Sequence, residues 1–61
     1  METMEINEIG HGLTTETTPD GCYAVVKRHG KLVKRYRGET AHSDAHRLAM
    51  DLWHDLAYGQ D

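Results

Sequence analysis

Sixty-one residues carry seven Lys and Arg against ten Asp and Glu, a net charge of −3, with one cysteine and no phenylalanine. A chain of that length makes one domain at most and buries only about 60% of its unfolded surface. A lone cysteine excludes an internal disulfide, no apolar run approaches the ~18 residues of a membrane span, and the start Met1-Glu2-Thr3-Met4-Glu5 has no apolar stretch that would make a signal peptide, so a cytoplasmic protein is expected.

Residues 4–9 alternate weakly, with Met4 and Ile6 set against Glu5 and Asn7, and are read as a short strand. Gly10-His11-Gly12 interrupts it as a turn, bulge or bend. Residues 13–18 are rich in threonine, whose β-branched side chain suits a half-exposed strand. Pro19-Asp20-Gly21 is a turn signal: proline presets φ, and glycine takes positive φ.

Residues 22–28 and 31–37 are the next two strands, with His29-Gly30 at the centre of a two-residue hairpin loop. That loop pairs Arg28 with Lys31, Val26 with Val33, Val25 with Lys34 and Tyr23 with Tyr36. One face then holds Tyr23, Val25, Leu32 and Tyr36. The other holds Arg28, Lys31, Arg35 and Arg37 around Val26 and Val33. A three-residue loop with a bulge would bring Val26 over Leu32 and leave Lys31, Arg35 and Arg37 on the outer face.

Beyond Gly38, Thr40 or Ser43 can cap a helix, and Asp44 suits the positive end of its dipole. Ala45, Leu48, Ala49, Leu52 and Leu56 recur at helical spacing. Residues 41–58 would make a helix about 27 Å long, with Gly59 as its stop. The expected fold is α+β: an antiparallel meander of three strands, or four with residues 4–9, and one C-terminal amphipathic helix on one sheet face. The helix is expected on the Tyr23, Val25, Leu32 and Tyr36 face, with Leu13 joining.

Charge is segregated along this frame. Six of the seven cations, Lys27, Arg28, Lys31, Lys34, Arg35 and Arg37, fall within one hairpin, and no Asp or Glu lies between Gly21 and Gly38. Clustered like charge is costly without a partner of opposite sign. An antiparallel sheet can lie in a groove of DNA, with Arg and Lys on phosphates and guanine edges. An acidic protein surface is the competing partner. The plain alternative is a solvated face balanced by Glu16, one strand away from Arg35, and by Glu39.

The remaining groups have simpler readings. His42 and His46 stand four apart, but a third ligand would have to come from His11 or His54, so no metal or other cofactor is expected. His29 is a turn residue that would add charge when protonated. Cys22 reads as a half-buried structural thiol. Asp51 and Asp55 read as solvated carboxylates, with Arg47 able to pair with Asp51. No phosphate loop or catalytic triad spacing appears, and no enzyme is expected. Met50, Trp53 and Ala57 make a second apolar strip on the helix, which either broadens the core contact or serves a dimer or partner.

The stretch from Tyr23 to Ala57, with its His29-Gly30 turn, its loop holding Thr40 and its Ala45-x-x-Leu48-Ala49, resembles two families. These are the three-strand-plus-helix domains of plant ethylene-response transcription factors and the arm-binding domains of tyrosine integrases. That resemblance implies a sheet that reads DNA. Size and acidity are also similar to small phage inhibitors of bacterial defence, such as anti-CRISPR proteins. That likeness implies an inhibitor or adaptor bound to a host protein or nucleoprotein complex. The leading expectation is a small non-enzymatic protein whose hairpin contacts nucleic acid, with Arg28, Lys31, Arg35 and Arg37 on phosphates and Lys27 and Lys34 beside them.

Overall fold

The computed structural model describes residues 4–59. Four strands, β1 (Glu5–Gly10), β2 (Leu13–Thr17), β3 (Tyr23–Arg28) and β4 (Lys31–Arg37), form one antiparallel sheet in the order β1-β2-β3-β4. One helix, α1 (Ala41–Tyr58), follows and packs on the sheet. The architecture is α+β, and the meander has four strands rather than three.

Two His-Gly pairs turn the hairpins. His11 and Gly12 have φ of 53° and 80°, and His29 and Gly30 have φ of 52° and 83°. Positive φ at both central residues gives the turn hand that matches strand twist. The two tips are joined side by side, because the His29 N–H donates to the Gly12 carbonyl at 2.8 Å. At the opposite end Asp20 organises the β2–β3 turn. Its carboxylate accepts from the Cys22 N–H at 2.9 Å and from the Thr18 hydroxyl at 2.7 Å.

The β3–β4 register differs from expectation at one residue. Arg28 pairs with Lys31 and Lys27 with Leu32, as a two-residue loop requires. A bulge at Val33 then intervenes, so Val26 meets Lys34, Val25 meets Arg35, Ala24 meets Tyr36 and Tyr23 meets Arg37. One extra residue exchanges the faces of every later position on that strand relative to its partner.

The covered face is therefore corrected. The helix lies on Ala24, Val26 and Tyr36, not on Tyr23, Val25 and Leu32. Val26 and Ala24 are fully buried, and Leu13, Thr15 and Thr17 on β2 are buried in the same rows. The reason is the helix itself. Ala41, Ala45 and Ala49, four apart, are its fully buried residues, while Leu48 and Leu52 pack half-buried at the margin. Methyl groups at the contact bring the helix axis close to the sheet. Ala24 and Val26 fit under such a helix, with Tyr36 half-buried beside them.

The first turn of α1 is tied to the β2–β3 turn and to the residue that follows β4. The His42 N–H donates to the Gly21 carbonyl at 3.2 Å, and the Ala41 N–H to the Gly38 carbonyl at 3.1 Å. Thr40 is the N-cap residue, but its hydroxyl donates to the Asp44 carboxylate at 2.9 Å instead of capping the backbone. Among the described residues no helix is long and apolar enough to cross a membrane.

Candidate nucleic-acid interface

The register divides the six hairpin cations. Directly paired residues share a face. Lys27, Arg35 and Arg37 thus stand on the open face, in rows with Leu32, Val25 and Tyr23. Arg28, Lys31 and Lys34 stand in the rows of the helix-covered face, where Arg28 opposes Lys31 and Lys34 opposes Val26. The expected single face of Arg28, Lys31, Arg35 and Arg37 is therefore split into two pairs, and each gains a lysine. All of β4 except Tyr36 is exposed, so every cation on that strand reaches solvent.

Local electrostatics differ between the six. The Lys27 ammonium lies 3.0 Å from the Glu16 carboxylate, the one ion pair among the described residues. The Arg37 guanidinium sits 5.7 Å from the Tyr23 ring centre, and the Lys34 ammonium 5.8 Å from that of Tyr36. Such contacts keep the cation available while holding its stem against an aromatic face. Arg28, Lys31 and Arg35 are exposed, and none forms an ion pair among the described residues. Glu16 sits in the same row as Arg35, across Val25, yet it bonds Lys27 instead.

Between these cations the open face holds a shallow depression of about 360 Å³, lined by Tyr23, Val25, Lys27, Leu32, Arg35 and Glu16 among others. Val25 is only 6% exposed although no helix covers it, because its neighbours in these rows close over it. Tyr23 and Val25 line this open face, whereas the expectation set them under the helix. The run Tyr23-Ala24-Val25-Val26 is apolar at every position, so alternation gives no face. The small residues on the helix were the usable signal.

The other candidates are placed as follows. Trp53 is half-buried, with its indole against Gly10 and ring centres 6.0, 5.6 and 5.8 Å from those of His11, His54 and Tyr58. Met50 is half-buried too. Cys22 is exposed, which corrects the half-buried thiol. It ends the β2–β3 turn, with its N–H on the Asp20 carboxylate. Arg47 and Asp51 border a separate groove with Tyr36 without forming an ion pair. Among the described residues no three metal-binding side chains converge.

The chain matches no protein-family model, no curated protein and no solved structure. Its surface chemistry is therefore the ground for any functional reading.

Proposed function

We propose that this protein is a small binding protein whose β3–β4 hairpin contacts nucleic acid, chiefly through the phosphate backbone. The observation that carries the reading is the unpaired charge: five of six clustered cations form no ion pair among the described residues, in a chain with net charge −3. A protein with ten carboxylates has ample means to neutralise that hairpin internally, yet among the described residues only Glu16 pairs with one of its cations. On the open face Arg35 and Arg37 hold phosphates, Lys27 adds to the local potential, and the Tyr23 ring under Arg37 offers a stacking surface to an unpaired base. Arg28 and Lys31, opposed beside the hairpin tip, extend the positive field past the helix-covered side. Glu8 and Glu16 on the neighbouring strands repel the polyanion, so binding is weak and confined to the β4 side.

Anisotropy titrations with labelled duplex and single-stranded oligonucleotides at low ionic strength test this. The expected result is saturable binding to at least one of them. Absence of binding to both overturns it.

One observation favours a second reading. Leu32 and Val33 are 48% and 44% exposed among the cations. Exposed aliphatic groups ringed by charge suit an acidic protein surface better than a phosphate backbone. Under this reading the hairpin docks on a host protein or nucleoprotein complex, as a phage-type inhibitor or adaptor would. A pull-down that retains its protein partner after nuclease treatment favours it.

A further inference from the structure

The two edges of the sheet carry opposite charge. The free edge of β1 is acidic: Glu5, Ile6, Asn7 and Glu8 are all exposed, and Ile6 is 64% exposed. The free edge of β4 is basic, with Lys34, Arg35 and Arg37 exposed around half-buried Tyr36. In the four-stranded order neither edge is paired on its outer side among the described residues. An unpaired strand edge is a template for another strand unless something blocks it.

We propose that the occupant of the β4 edge is β1 of a second copy of this chain, added head to tail. Three observations select it. First, four alternating strands make β4 antiparallel to β1, so a copy placed beside the first continues the antiparallel alternation and keeps both helices on the same face. Four strands about 4.8 Å apart are wider than a helix about 10 Å across, so the two helices fit side by side. Second, bulges limit both edges to short regular stretches of equal length. They interrupt β1 after Glu8 and β4 before Lys34, leaving regular edge stretches at residues 5–8 and 34–37. Third, charge rejects the alternatives. A β4–β4 pair brings two cationic edges together, and a β1–β1 pair brings two acidic edges together. Of the registers that keep matching faces together, the one that pairs opposite charges sets Glu8 opposite Arg35 and Ile6 opposite Arg37 of the second copy. Such an interface is heterologous and builds open chains rather than a closed dimer. It does not depend on the nucleic-acid reading.

Sedimentation of nucleic-acid-free protein at low ionic strength is the test, with circular dichroism checking that each variant is folded. The wild type is expected to show a mass that rises with concentration and falls as salt is added. Glu8→Arg and Arg35→Glu, both at exposed positions, are each expected to weaken association at least tenfold. An equimolar mixture of the two, and the chain carrying both reversals, are expected to regain it. A wild type that stays monomeric at low salt overturns the proposal; its edges are then merely solvated. Association that both single reversals leave unchanged overturns it as well, and points to the Met50 and Trp53 strip. Failure of the doubly reversed chain to associate also counts against it.

Discussion

Gly10 illustrates how single residues position this fold. Its φ of 130° lies where side chains are rarely tolerated, and a Cβ there would come within 2.7 Å of the Trp53 indole nitrogen. Gly10→Ala is expected to destabilise the protein by about 1–3 kcal/mol in urea melts. Gly30→Ala is a useful contrast. It meets nothing within 4 Å, so it bears only the left-handed backbone cost of about 1 kcal/mol. Equal losses at the two positions would remove the Trp53 contact from the account. Asp20 supplies a second residue-level prediction. The Cys22 N–H, and then the Thr18 hydroxyl, hold its carboxyl below the ordinary aspartate value. A lowered native pKa stabilises above the unfolded pKa, and that stabilisation disappears as pH falls through the native one. The Cys22 amide resonance is expected to titrate with a midpoint below that of a free aspartate. A midpoint at or above it contradicts the turn geometry.

At the scale of elements, the helix and its alanine stripe decide which sheet face is buried. Ala45 is fully buried against the sheet, so Ala45→Leu is expected to cost about 1–3 kcal/mol by overpacking. Leu52 packs half-buried at the margin, so Leu52→Ala is expected to cost about 2 kcal/mol, the low end for such a truncation. Thermal or chemical melts compare the two directly. An Ala45→Leu variant as stable as wild type would mean that the helix does not approach the sheet this closely. The helix, its bounds and its periodic leucines were legible in the sequence, as was the His29-Gly30 turn, because both depend on local chemistry. The Val33 bulge was not legible. Val33 is as β-prone as its neighbours, and nothing in Lys31-Leu32-Val33-Lys34 marks one residue as extra. That one residue was enough to exchange the two faces of β4 against β3. The same four-residue apolar run that hid the covered face also hid that Tyr23 and Val25 lie on the face away from the helix.

Over the whole molecule, the cationic hairpin was visible as composition, but its division into two rows required the register. Lys27, Arg35 and Arg37 on one side and Arg28, Lys31 and Lys34 on the other form a positive ridge along β4, while Glu5, Glu8 and Glu16 make the opposite side of the sheet negative. A partner that is itself a polyanion is then attracted at one edge and repelled at the other. The most direct test of this account is the salt dependence of oligonucleotide binding, compared between wild type and Arg35→Ala/Arg37→Ala. Each phosphate contact on duplex DNA adds about 0.9 to the slope of log affinity against log salt. The account predicts that the double substitution lowers that slope by roughly 2 and weakens binding alike for unrelated sequences. A slope and affinity unchanged by removing both arginines would contradict it.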